Sequence, residues 1–372
     1  MYRWRGVAVF LAGALALSGC GSSGGSGSAT GSGDAADRTL ITTATAAVAA
    51  GSAPVTSLSL PTKSPIAPRN KRVVAVTCTN EGDGCPLSAQ AVGEATRQFG
   101  WDVKVIDGKG DPAVWNSAIL NAITTRADAI VLSAVAPALV KDALAKAAAA
   151  KIPVVTMFQP VVAGDGIYGH VRPDHAAQGK LAANWVIADA KAKAKVIEVV
   201  DAEFVELGQR STGFNTELKK CGGCEVVQTV DSTLATLSTR LPGAITAALQ
   251  KHPDATHVVA ATDNHALFAS QGIQAAGRAG AVKLVGYDGN SPNYRLVRTG
   301  VQAMDVVESY TLQGWLAADL LIRALSGEPG RDYVLPSRLF TKDTMPAGLW
   351  ATEAPFKEQL TELWTKGAVG NG

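Results

Sequence analysis

From Arg72 onward, short β-branched runs alternate with stretches of helical periodicity, and this alternation constrains the fold more than any other feature. Arg72 to Thr79 (RVVAVTCT) has the look of a strand buried in a parallel sheet. Strands are expected again at Trp101–Ile106, Ala129–Leu132 and Ile152–Met157. Between them, Val92, Ala95 and Phe99 recur at helical spacing, as do Trp115, Ile119 and Ile123 within Pro112–Arg126, and Ala138–Ala149 gives a third helix. A second unit begins near Asp174, with helices at Ala176–Ala190 and Gly208–Lys220 and strands at Lys195–Val200, Glu225–Val230, His257–Ala260 and Val282–Val285. Strands and helices alternating at this pitch predict an α/β protein of two lobes, each a doubly wound parallel sheet with right-handed crossovers. At 372 residues there is room for both lobes, and 47% hydrophobic against 18% charged residues suits two buried cores.

The stretch Val282 to Gln313 organises the second unit. Its strand Val282–Val285 is followed by Asp288, Gly289 and the turn-rich Asn290-Ser291-Pro292, and a second strand, Met304–Val307, ends at Glu308. Open α/β sheets bind ligands at the carboxyl ends of their strands, so both acids are expected to face one small-molecule cleft. The short segments His170–Pro173 and Glu308–Thr311 are where the chain is expected to cross between lobes.

The first nineteen residues read as an export signal: Arg3 and Arg5, an apolar region Val7–Leu17, then Leu17-Ser-Gly-Cys20. The apolar region is shorter than the roughly 20 residues needed to span a bilayer. LSGC resembles the bacterial lipoprotein signal, which makes Cys20 the expected lipid attachment site, with ordinary secretion as the alternative. Residues 20–70, rich in Gly, Ser, Ala and Thr, read as a flexible tether, with a transient helix over Leu40–Ala50. The whole chain carries a net charge of +2, and loss of Arg3 and Arg5 with the leader leaves none, so nothing in the charge argues for nucleic acid.

LVGYDG, RTGVQAMDVVES and QGWLAADLL, in that order, resemble the last third of the sugar-binding proteins of bacterial ABC importers, the ribose-binding-protein-like group of type I periplasmic binding proteins. The resemblance runs from about Arg72 to about Thr344. It implies an N-terminal lobe of residues 71–172 with 309–331, and a C-terminal lobe of 173–308 with 332–345. A multi-strand hinge joins them, with a third crossing near Asp332–Phe340. Residues 346–372 form a terminal extension, with a helix over Pro355–Trp364 that the family pattern does not require.

Four cysteines remain beyond Cys20, and an even set in an exported chain reads as disulfides. Cys78 and Cys85 bracket the first loop, while Cys221 and Cys224 sit between a helix and a strand. The second spacing also fits a redox pair or half a metal site. With no HExxH and no second CxxC, zinc lacks ligands, and Cys221 closes a helix where a reactive thiol would open one. No metal and no cofactor is expected.

The resemblance implies a ligand held by polar side chains and rings at strand ends of both lobes. Asn80 stands where the family places a contacting asparagine, its alternative being a turn former. Phe158 and Gln159 replace the family's acid–base clamp, so Phe158 is a stacking ring or core. Arg210, in Arg210-Ser-Thr-Gly-Phe214, matches the family's R-x-x-G-F and is expected to donate into the cleft, a surface ion pair being the rival. Thr262 takes the place of a contacting asparagine, and Asp263 is a candidate helix cap. Asp288 matches the family's D-G, and Glu308, in place of glutamine, is a ligand contact or an interlobe bridge. Arg210 against two carboxylates suits a neutral polyol or a ligand with a cationic group.

Together these point to a monomeric, lipid-anchored, extracytoplasmic protein of the cell envelope that captures a small sugar-like solute and delivers it to an ABC permease. A sensor that presents its closed state to a membrane receptor is the second reading. A glycoside-processing enzyme using Asp288 and Glu308 is the third, although the folded body shows no G-x-S-x-G, Walker loop or metal triad.

Overall fold

The computed structural model describes residues 30–233 and 236–368. The expected export signal and the expected lipid attachment site, Cys20, lie outside the described residues. The first lobe takes β1 (Arg72–Thr77), α2 (Gly84–Thr96), β2 (Asp102–Asp107), α3 (Pro112–Thr124), β3 (Ala129–Ser133), α4 (Lys141–Ala149), β4 (Val154–Met157) and β5 (Gly169–Pro173), preceded in the chain by α1 (Thr30–Ser52). The second takes α5 (His175–Asp189), β6 (Lys195–Val200), α6 (Val205–Leu218), β7 (Glu225–Asp231), α7 (Leu237–Lys251), β8 (His257–Val259), α8 (Asp263–Ala275), β9 (Lys283–Asp288), α9 (Ser291–Arg298) and β10 (Met304–Glu308). The chain then runs through α10 (Tyr310–Leu325), β11 (Tyr333–Leu335), β12 (Ser337–Thr341) and α11 (Phe356–Lys366).

Two six-stranded sheets result, ordered β11-β5-β4-β3-β1-β2 and β12-β10-β9-β8-β6-β7. All pairings are parallel except β12 against β10. The order reverses between β1 and β3 in one sheet and between β6 and β8 in the other, so both switch points open at strand carboxyl ends. Strands such as β1 and β3 can be almost wholly apolar because helices cover both faces. Side-chain caps fix several helix starts: Asp111 accepts from Ala113 N at 2.8 Å ahead of Pro112, Asp174 from Ala177 N at 2.9 Å, and Ser309 from Leu312 N at 3.1 Å.

The chain passes between lobes three times: after Pro173, between Glu308 and Tyr310, and at Pro336. The last crossing shifts the expected lobe boundary, because Tyr333–Leu335 pairs with β5 and only the chain from Ser337 joins the second sheet.

The chain from Thr30 to Asn70 departs from the expectation of a flexible tether. The helix α1 seats Leu40, Ile41, Ala44 and Val48 on the second lobe beside Leu181 and Trp185 of α5. These four recur along one helical face, and the small residues around them allow close approach, so α1 finds in α5 the burial it could not provide alone. Further on, the segment is fixed by backbone: Ala67 N donates to Trp364 O at 2.9 Å and Arg323 Nη2 to Lys63 O at 2.7 Å.

The terminal extension touches both lobes. Trp350 packs edge-on to Phe340, and Trp364 stacks on Trp315 with ring centres 5.6 Å apart. Beneath that stack the buried Asp319 accepts from Trp364 Nε1 (2.9 Å), Arg323 Nε (2.6 Å) and Tyr333 OH (2.5 Å), which satisfies a carboxylate that would otherwise be costly inside a core.

Candidate ligand-binding cleft

A cavity of about 110 Å³ lies between the lobes at the two switch points. Phe158, Tyr310 and the Cys78–Cys85 disulfide line it from the first lobe, and Asp201, Glu206, Arg210, Thr262, Asp288 and Glu308 from the second. Cross-lobe contacts close it: Gln159 Nε2 donates to Glu206 Oε1 at 2.9 Å, Tyr310 OH to Asn290 Oδ1 at 2.8 Å, and Ser291 N to the Asp83 carboxylate.

Arg210 is the cleft's organiser. It is 3% exposed, lies on α6 and has its guanidinium 4.5 Å from the centre of the Tyr287 ring. Nη2 donates to Asp288 Oδ1 at 2.7 Å and to Gln178 Oε1 at 2.9 Å, and Nη1 to Ala261 O at 2.7 Å. Gln178 in turn donates to Glu308 Oε2 at 3.0 Å, so one amide ties the arginine of α6 to the acid at the end of β10. This geometry depends on a close crossing of α5 and α6, where a Cβ on Gly179 would lie 1.9 Å from Arg210 O.

Asp288 sits at φ +99°, and Gly289 after it at φ +86°. A Cβ on Gly289 would strike Val307 Cγ1 at 2.4 Å, so glycine is required at this turn. Asp263 holds the turn from below, accepting from Gly289 N at 3.1 Å, Asn290 N at 2.8 Å and Gln302 Nε2 at 3.1 Å. Asp263 is therefore a buried anchor and not the cap of α8, a role that falls to Thr262, which also bonds His265 Nδ1 at 2.8 Å. Burial, reinforced by the Asp288 charge, pushes the Asp263 carboxyl up to about 7, and burial with the Asp263 charge alongside holds Asp305 well above the usual range.

Glu308, Glu206 and Asp201 are shifted the same way. Burial, reinforced by Asp288 and opposed by Arg210, pushes Glu308 up to about 8. Burial raises Glu206 to about 7 and Asp201 to about 6. Two histidines of the cleft go the other way: desolvation and then Arg210 push His175 down to about 3 and His265 to about 4, so both are neutral at pH 7.

Of the residues expected from sequence, Phe158, Arg210, Thr262, Asp288 and Glu308 surround this one cavity. Two others do not line it. Asn80 is turned to the strand end, its Oδ1 accepting from Thr77 Oγ1 at 2.9 Å and its N donating to Asp107 Oδ1 at 3.0 Å, which is the turn-forming alternative. Gln159 is spent on the bond to Glu206. Sequence reasoning missed Glu206, although it lies one helical turn before Arg210 on the same face. It also missed Asp201, His175, His265 and Asn290, which separate elements of the second lobe bring to the cavity, and Tyr310, which reaches them across the cleft. Both cysteine pairs are disulfides, Cys78–Cys85 and Cys221–Cys224. Among the described residues no His, Cys, Asp and Glu cluster has metal-binding geometry, and no helix is long and apolar enough to cross a membrane.

Two doubly wound sheets, three crossings and a cavity between them lined by charged groups and rings define a two-lobed solute-binding architecture of the type I periplasmic kind. Residues 74–329 match the family described as the periplasmic binding protein domain, and the chain belongs to that family. It is 27% identical over 234 residues to the ribose import binding protein of Salmonella typhimurium, a match covering 62% of this chain and 77% of that one. Its fold is similar to that of an ABC transporter solute binding protein from Burkholderia graminis in complex with D-arabinose, with TM-score 0.70, 17% identity, and coverage of 76% of this chain and 99% of that one. A solute binding protein from Bacillus halodurans with bound myo-inositol matches at TM-score 0.67 and 19% identity, covering 74% and 96%. These relatives are binding proteins of transport systems.

Proposed function

We propose that this protein is the extracytoplasmic receptor of an ABC importer, that it captures a small, polar, sugar-like solute between its lobes, and that it hands the solute to a membrane permease. The observation that carries this reading is the cavity between the lobes, to which the second lobe contributes the acids and Arg210 and the first lobe two rings and a disulfide. A solute bridging Arg210, Asp288 and Glu308 on one side and Phe158 and Tyr310 on the other adds contacts only in the closed arrangement, and differential contact of this kind drives closure. The likeness to relatives named for ribose import and to structures holding D-arabinose and myo-inositol supports a polyhydroxylated solute. We read Asp288 and Glu308 as holding groups and not as a catalytic pair, since Arg210 and Gln178 already engage them. We further propose a monomer anchored through lipid on Cys20.

Thermal shift against pentoses, hexoses, inositols, polyols, sugar acids and nucleosides tests the reading. A solute at 100 times its dissociation constant stabilises the folded state by about 2.7 kcal/mol. A panel in which nothing raises the melting temperature would overturn it. Mass spectrometry of membrane-extracted protein tests the anchor, which predicts a mature chain beginning at a diacylated or triacylated Cys20.

A further inference from the structure

We propose that the solute of this cleft carries a positively charged amine, seated between Glu206 and Glu308 with the rings of Phe158 and Tyr310 nearby. The inference rests on the solute-binding reading above and names the class of solute.

The cavity is lined by four carboxylates and one guanidinium. That guanidinium is already engaged by Asp288, Gln178 and the carbonyl of Ala261, so its charge is spent within the protein. Glu206 has no cation of its own among the described residues. It is 5% exposed, one oxygen accepts from Gln159, and the other, Oε2, is buried without a hydrogen-bond partner. Glu308 receives the Gln178 amide and has no salt-bridge partner among the described residues. Asp201 Oδ2 has only the neutral His265 Nε2, 3.5 Å away.

Free acceptors therefore outnumber free donors, and the surplus is anionic. Buried acids without a counter-charge relieve the cost by holding protons, which is the direction in which Glu206 and Glu308 are shifted, each reinforced by Asp288. Glu206 also raises Glu308, so the two sit within electrostatic reach of each other. An ammonium group placed between them would supply the missing donors and charge together, and the acids would give up protons as it entered. A hydroxyl supplies a donor without the charge and demands no such release. The Phe158 and Tyr310 rings, 6.4 Å apart and tilted by 60°, add faces that attract a cation.

Calorimetry on the full chain, in two buffers of different ionisation enthalpy at pH 7, would compare matched pairs: 1-amino-1-deoxy-D-glucitol with D-glucitol, D-glucosamine with D-glucose, and an aminocyclitol with myo-inositol. In at least one pair the amine-bearing member should bind tenfold or more tighter than its neutral counterpart and release protons. Glu206→Gln and Glu308→Gln should each weaken the amine at least tenfold more than the neutral member, in protein whose unfolding remains cooperative. Neutral members binding as tightly as amines throughout, without proton release, would overturn this inference and leave the solute-binding reading standing. Failure of both members of every pair would overturn both.

Discussion

Replacing Arg210 by Met keeps most of the side chain's volume and removes the charge on which the cleft turns. Four acceptors then lose donors or a counter-charge: Asp288, the Gln178 amide oxygen, the carbonyl of Ala261 and, at longer range, Glu308. Asp288 cannot swing away freely, because Asp263 holds the two backbone amides that follow it. Breaking a buried ion pair by removing one partner costs about 3–5 kcal/mol. At about 2–4 °C per kcal/mol for a unit of 150–250 residues, the melting temperature should fall by roughly 6–20 °C. Denaturant unfolding of Arg210→Met, of Asp288→Asn and of the double variant measures this directly. The double variant should be more stable than the sum of the single losses implies, by about 0.5–3 kcal/mol. An Arg210→Met protein within about 1 kcal/mol of the parent, with additive double-variant losses, would refute the claim that this guanidinium holds the cleft together.

Glu308, Glu206 and Asp263 are raised to about 8, 7 and 7, so the stability their protons contribute is complete below the unfolded carboxylate range and is lost as pH rises through those values. The lowered histidines oppose this only below about pH 6.5, so the melting temperature of ligand-free protein should fall between pH 6.5 and 8.5, and a flat or rising profile would count against the shifts. Changing Cys78 and Cys85 together to serine should cost about 2–3 kcal/mol, as expected for so short a loop, and should weaken solute binding because the bridge lines the cavity; a denaturation midpoint unchanged from the parent would contradict this. Gly179→Ala should destabilise by about 3 kcal/mol, at the top of the overpacking range, and should displace Arg210; a variant that unfolds and binds like the parent would show that the helix crossing is looser than it looks.

The sheets were legible because β-branched runs and helical spacing alternate without interruption from Arg72 to Glu308, and periodicity is a local property. The two acids were legible for a related reason: each ends a strand, and strand ends are where such sheets present ligand groups. What composition obscured was α1. Its Gly, Ser, Ala and Thr content suggested a tether, whereas the stripe from Leu40 to Val48 gains its stability from α5, a partner some 140 residues away in sequence that no local window reveals. Asn80 and Gln159 show the same limit at the cleft. Both stand at plausible positions, yet Thr77 and Glu206 claim their side chains. Glu206, His175 and Tyr310 carry no motif; helix packing in the second lobe brings the first two to the cavity, and only the meeting of the lobes adds Tyr310.

The central claim is that two lobes close over a solute, and small-angle scattering reads closure directly. With a solute identified by thermal shift, the radius of gyration should fall on saturation, and the curve of the saturated protein should match one calculated from the closed arrangement bridged by Gln159–Glu206 and Tyr310–Asn290. Superimposable curves with and without that solute, in samples where calorimetry records saturating binding, would contradict the account.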